Sequence, residues 1–244
     1  MKHCIAVFRR EFTSYFTQPT AYAIIAIFLA LALGLSFTFG AFLRSNNAVL
    51  EWSFFFWHPW ILMLLVPAVG LRFWSEELRS GTLELLGTMP VSTWSAIIGK
   101  YLAAALIWLI AIALTFPIWI TANYLGSPDN VMIFSGYLGS FMLALVFLAI
   151  TMLVSAFTRD QVVCLIISVA ICVLLVLGSY DALIREIAKG LGESAAEGLA
   201  AVGVWDHFRS LVRGSLRLQD IVWAGSIIAV CLYGTNVILG ARRS

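Results

Sequence analysis

The chain has 244 residues, 61% hydrophobic and only 11% charged, against roughly a quarter charged in an ordinary soluble domain. A soluble fold of this size has too little interior to hide so much apolar surface, so a bilayer must hide it. The net charge of +2 and the lack of a basic run exclude nucleic acid as a partner.

The first segment, residues 1–19, reads as a short basic amphipathic helix. Cys4, Ile5, Phe8, Phe12, Tyr15 and Phe16 recur at three- and four-residue spacing, and Lys2, Arg9, Arg10, Thr13 and Thr17 fall on the other side. A helix of this kind is expected to lie in the membrane plane. Pro19 favours a break after it. The apolar run that follows is far longer than a signal-peptide core, so it is expected to stay as a membrane span.

Crossing about 30 Å of hydrocarbon takes roughly 20 apolar residues. Six stretches qualify: about 21–43, 52–71, 101–122, 131–157, 161–180 and 221–241. None contains Asp, Glu, Lys or Arg, and a charge at a helix centre costs several kcal/mol. The fold class expected is all-α integral membrane, one permease-like domain over 1–244 with six transmembrane helices. Pro59, Pro67 and Pro117 fall inside spans, where each removes a backbone donor and can kink its helix.

Six spans put both termini on one side. With the N-terminus inside, that side holds Lys2, Arg9, Arg10, Arg72, Arg79, Lys100, Arg159, Arg242 and Arg243. The other side holds Arg44, Arg185, Lys189, Arg209, Arg213 and Arg217, five of them in one long loop. The positive-inside rule therefore favours both ends in the cytoplasm. Trp52, Trp57, Trp60, Trp119, Tyr124, Tyr180 and Trp223 then lie near the outer interface, and an aromatic belt accounts for them.

The connection between the second and third stretches reads RFWSEELRSGTLELLGTMPVSTWSAIIGK. Glu76 and Glu77 suit a helix N-terminus. Leu78, Leu85 and Leu86 can share one apolar face, and Gly87 and Pro90 end the helix. Ser92 is placed to cap the next helix. A simple connector needs no apolar stripe, so the segment 76–90 is expected to pack on something: the protein's own helices or a soluble partner.

SEELRSGTLELLGTMPVS followed by IIGKYLAA resembles the signature of type 2 ABC exporter permeases. The resemblance rests on Glu76, Glu77, Arg79, Gly81, Thr82, Glu84, Leu85, Leu86, Thr88, Pro90, Val91, Gly99 and Lys100. Leu78 stands where that family has a basic residue, and Gly87 where it has a larger apolar one. The six spans, the FRREF start and the long outer loop agree. Asp206–Trp223 is similar to the gliding-motility branch (GldF, NosY-like).

The resemblance implies a permease of the bacterial inner membrane that pairs with a second copy of itself or a related permease, and with two ATP-binding subunits. It implies that 76–90 is a coupling helix seated in the ATPase. There Glu76, Glu77, Arg79 and Glu84 would set the charge pairing, Leu85 and Leu86 would fill an apolar pocket, and Gly81, Thr82 and Pro90 would belong to the same docking motif. It also implies that ATP and Mg are held by the partner. The chain is expected to be no enzyme and to hold no cofactor. Gly99-Lys100 is followed by Tyr101, and Trp94 stands where a phosphate loop needs its first glycine.

The loop 181–220 begins with an amphipathic Leu183, Ile184, Ile187 and Leu191, and its glycines are expected to break it into short helices. Arg209, Arg213 and Arg217 would form one stripe if their segment is helical, although Gly214 weakens that helix. They would meet lipid phosphates, or else an anionic substrate or a periplasmic or envelope partner. Two other classes stay open: a complex that transmits force or scaffolds partners without transport, and an ATP-independent carrier or channel. The latter lacks ionisable residues within its spans beyond His58. Cys4, Cys164, Cys172 and Cys231 form no CxxC and no His sits at metal spacing, so they read as small apolar residues.

Overall fold

The computed structural model describes residues 2–40, 50–82, 92–180, 184–185, 189 and 203–242. Among these the regular structure is helical, with no strand. α1 is Lys2–Thr17, α2 Pro19–Thr38, α3 Leu50–Ser53, α4 His58–Gly70, α5 Ser75–Ser80 and α6 Thr93–Ala113. α7 is Pro117–Leu125, α8 Asn130–Phe157, α9 Gln161–Leu177, α10 Val204–Val212 and α11 Leu218–Ala241.

The breaks follow the local chemistry. Gln18 is extended (ψ 143°) and Pro19 opens α2, where a missing N–H costs nothing. Asp129 caps α8 by accepting from Val131 N, and Asp160 caps α9 by accepting from Val162 N and Val163 N. Ser92 caps α6 by accepting from Ser95 N. The second stretch is not one rod: α3 gives way to a 3-10 turn, Phe55–Trp57, before α4. The third starts eight residues before the expected 101 and breaks between α6 and α7. Pro59 and Pro117 both sit in first turns, and only Pro67 lies inside a helix.

Among the described residues five helical segments, the second and third of them interrupted, are long and apolar enough to cross a membrane: Pro19–Thr38, Leu50–Ser80, Thr93–Leu125, Asn130–Phe157 and Leu218–Ala241. The expected sixth, α9, has 17 residues, about 25 Å at ~1.5 Å per residue. It is the shortest of the six stretches because Gly178 ends it before Tyr180.

α8 is the central post. In its most apolar window 72% is buried within the protein, against 28% for α2 and 17% for α11. α4, α6, α9, α10 and α11 pack around it. Several polar groups at this depth pair across helices, as an apolar surrounding favours, while the indole nitrogen of Trp108 and Nε2 of His58 are buried without a hydrogen-bond partner among the described residues. Ser140 gives its one hydroxyl hydrogen to the Gly136 carbonyl (2.8 Å), so it accepts from His58 Nδ1 at 2.7 Å, tying α4 to α8. Phe28, Phe54 and Phe55 surround that imidazole. Tyr137 of α8 donates to the Thr115 carbonyl at 3.1 Å, in the break between α6 and α7.

The first and last helices, α1 and the end of α11, lie at the same end of the bundle. α1 packs on α6 there, and Arg242 donates to the Phe157 carbonyl at 2.9 Å. On α1 the half-buried side is Cys4, Val7, Phe8, Glu11, Phe12, Tyr15 and Phe16. Ile5, expected on the apolar side, is 63% exposed.

Candidate functional site

At the end of the bundle that carries α1, the chain leaves α4, makes a bend at residues 71–74, and enters α5. Phe73, Trp74 and Leu78 turn inward and are buried. The Ser75 hydroxyl donates to the Leu71 carbonyl, and Leu78 N donates to the Trp74 carbonyl at 2.8 Å, which closes the first turn. α5 stops early because Gly81 takes φ 71°, the left-handed cap that favours glycine. Of the helix expected over 76–90, only the part up to residue 82 is described: α5 ends at Ser80, Gly81 turns the backbone, and Thr82 is helical again. Glu84, Leu85, Leu86 and Pro90 lie outside the described residues.

Lys100 is the hub of this corner. It is 4% exposed, yet its ammonium is fully engaged. Nζ donates to Glu77 Oε1 at 2.6 Å and to the Phe73 carbonyl at 2.6 Å, and lies 4.4 Å above the Trp74 ring. A buried ammonium is tolerated only with such partners. The preceding Gly99 has a different task. A Cβ there would sit 2.9 Å from the Val7 side chain and 3.0 Å from the Cys4 carbonyl, so glycine lets α1 lie directly on α6. Gly99-Lys100 thus joins α1, α5 and α6 at one point, a role that its match to a family motif did not disclose.

Of the expected docking residues, Glu76, Arg79, Gly81 and Thr82 are exposed. Glu77 is turned inward onto Lys100. A cavity of about 470 Å³ opens beside this corner, lined by residues of α1, α2, α4, α5 and α6 and by Gln161 at the start of α9. Tyr15 on its wall donates to the Val69 carbonyl at 3.4 Å. Its hydroxyl is pushed up from its ordinary pKa, mainly by burial and next by Glu11, with Arg72 opposing.

The opposite end is built around α10. Its N-terminus is pinned by Trp205 N, which donates to Ser179 Oγ at 2.7 Å. Trp205 then stacks edge-on against Phe56 and Tyr180. The stripe of three arginines does not form. α10 ends at Val212, Gly214 takes φ 81°, and Arg217 becomes the residue before α11. Arg209 lies over the Trp52 ring at 5.5 Å, and Arg213 Nε donates to Glu51 at 2.8 Å. The end of α3 thus takes the first two.

Asp220, 3% exposed, clasps α10 to α11: Oδ1 is 2.7 Å from His207 Nδ1, and Oδ2 accepts from Ser210 at 2.8 Å. These are the residue types of a hydrolytic triad in the wrong order. The carboxylate stands between serine and histidine, so the imidazole cannot take the serine proton. Among the described residues no group of three or more His, Cys, Asp or Glu could hold a metal ion.

The profile of the ABC-2 family transporter proteins matches residues 61–196, more than half of the chain and inclusive of α5 and Lys100. The chain belongs to the ABC-2 transporter family. No curated protein matches it. Membership makes it a multi-pass membrane protein and a permease of the ABC transporter type, which works with an ABC ATPase subunit.

Proposed function

We propose that this ABC-2 permease couples ATP hydrolysis in its partner to export across the bacterial inner membrane, with six spans and both termini in the cytoplasm. α9 would be the sixth span, reaching across by local thinning or by its flanking residues. Two permease copies, identical or related, would pair with two ATPase subunits, which hold ATP and Mg. The chain itself performs no catalysis.

The observation that carries this reading is the Lys100–Glu77–Phe73 junction. A push on α5 meets a buried ion pair rather than a slack loop, so the load passes into α6, and through Gly99 into α1. Glu76, Arg79, Gly81 and Thr82 would face the ATPase, with Glu84, Leu85, Leu86 and Pro90 continuing that surface. Glu77 would transmit force rather than dock.

Co-purification tests it. Arg79→Glu and Glu84→Arg should each weaken assembly with the ATPase by about tenfold, the loss of one charge-assisted contact. Lys100→Ala should leave assembly but lower ATPase stimulation. Full assembly in both charge-reversal variants would overturn the docking assignment.

A second reading belongs to the gliding-motility-like branch: the same junction would drive envelope proteins without transport. The clasp of α10 onto α11 supports it, since Asp220 would relay movement of the last span to an outer helix carrying Arg209 and Arg213.

A further inference from the structure

One side of α1 is accounted for by the bundle. Cys4 and Val7 lie on Gly99 of α6, Tyr15 bonds to the Val69 carbonyl of α4, and Glu11 lines the cavity beside them. A second side is apolar yet stays open. At ~100° per residue, Ile5, Phe8, Phe12 and Phe16 fall within an arc of about 80° beside the first. Ile5 is exposed and the three phenylalanines are only half-buried. Their rings stand in file, Phe8 to Phe12 at 5.9 Å, Phe12 to Phe16 at 5.0 Å and Phe16 to Tyr22 at 5.5 Å. Tyr22 is exposed on α2, an apolar helix of spanning length whose window is only 28% buried, so its open faces meet lipid. The file therefore ends on a lipid-facing helix, and the edge of α1 that carries it lies at the bilayer boundary.

Arg9 borders that edge. It falls about 20° past Phe16 around the helix, turned away from α6. It is exposed, and its guanidinium makes no ion pair or hydrogen bond among the described residues. Thr13, Ser14 and Thr17 continue the polar surface beyond it, all exposed. Arg10 is committed differently, at 2.7 Å from Glu11. Glu11 is the only carboxylate of α1, so the charge of Arg9 has no counterpart on its own helix. A guanidinium on the line between an apolar edge and a polar face reaches the phosphate level of a bilayer while its stem stays in the apolar layer.

We propose that α1 docks on the lipid surface by this edge, with Ile5, Phe8, Phe12 and Phe16 in the acyl boundary and Arg9 on lipid phosphate, so that a negatively charged bilayer holds it more firmly. The uncompensated charge of Arg9 gives that dependence, since a net negative surface attracts each basic side chain near it. The same helix covers Gly99 with Cys4 and Val7. Membrane charge would thereby set how tightly α1 stays on the start of α6, next to the Lys100 junction. The proposal rests on the membrane-embedded reading of the chain, not on the docking assignment.

Two measurements test it, both on the full chain in lipid vesicles without its ATPase, so an incorrect docking surface leaves them untouched. A nitroxide attached at Ile5→Cys, in a Cys4→Ala background, should be relaxed more by oxygen, which partitions into acyl chains, than by a water-soluble nickel chelate. The same label at Thr13→Cys should show the reverse. Relaxation at position 5 mainly by the chelate would overturn the proposal. In the native chain, maleimide labelling of Cys4 should be about fivefold slower in vesicles containing phosphoglycerol lipid than in phosphocholine lipid alone, the worth of one basic side chain near a charged surface. Cys4→Ala supplies the blank, since Cys164, Cys172 and Cys231 are buried. Arg9→Gln should abolish the difference. Arg159→Gln, which removes another exposed cation from the same end, should keep it. Inorganic phosphate added to phosphocholine vesicles should give no protection. Equal labelling in the two lipids, a difference that survives Arg9→Gln, one lost equally in Arg159→Gln, or protection by free phosphate would each overturn the proposal. The native chain compared in the two lipids decides by itself if a variant does not fold.

Discussion

Lys100 sets the residue-scale logic of the protein. Its ammonium sits at 4% exposure because three partners replace the water it has lost. Breaking such a pair from one side strands the other charge, which costs more than the pair contributes. Lys100→Met should therefore destabilise the protein by about 3 kcal/mol, read as a lower midpoint of unfolding in detergent, because Glu77 keeps a carboxylate at 18% exposure. Adding Glu77→Leu should recover most of that loss, since residues in direct contact are not additive. If the two single effects simply summed in the double variant, the pair would not be the unit described here. Glu77 also shows why an acidic residue at a helix start cannot be assigned from its position alone. Glu76, its neighbour, satisfies the same helix-dipole preference and points outward.

At the scale of elements, α1 and α10 are the two helices whose placement gives the bundle its working ends. α1 lies on α6 because Gly99 leaves room for Val7 and the Cys4 carbonyl. Gly99→Leu should lift the start of α1, since its Cβ alone would fall 2.9 Å from the Val7 side chain. Maleimide labelling of Cys4, half-buried in the native protein, should then speed up several-fold. Labelling at the native rate would mean that α1 is held elsewhere. α10 is held differently, by a backbone bond to Ser179, aromatic edges and the Asp220 clasp. Its arginines are consequently committed to Trp52 and Glu51 on α3, while Arg217 belongs to the start of α11. A regular spacing of four promised a shared face, but the left-handed Gly214 ended the helix before the third member.

At the scale of the whole molecule, the two charged ends are separated by apolar helices that are tied together by buried polar pairs at His58–Ser140 and Tyr137–Thr115. α1 and the end of α11 share one end. The topology proposed above is checked with reporters. A phosphatase fused after Gly190 should be active outside the cell, and one fused after Ser244 should be inactive. Inverted activities would reverse the membrane orientation and detach α5 from any cytoplasmic ATPase.

Much of this architecture could be read directly along the chain. Charge-free apolar runs, the break at Pro19 and the cap at Ser92 depend on transfer and backbone energies that neighbours in sequence set. Membership of the ABC-2 family rests on the same linear information. The rest required helices to meet. Val7 rather than Ile5 faces inward because α6 presents a glycine there. Glu77 rather than Glu76 is buried because Lys100, 23 residues away, reaches it. The cavity beside Lys100 is lined by residues of α1, α2, α4, α5 and α6, which no local stretch of sequence brings together. Sequence alone determined which segments a membrane could accept, since that cost is summed residue by residue. Only the tertiary structure decided which charges are paired inside and which stay at the surface, because pairing energy depends on distance in space.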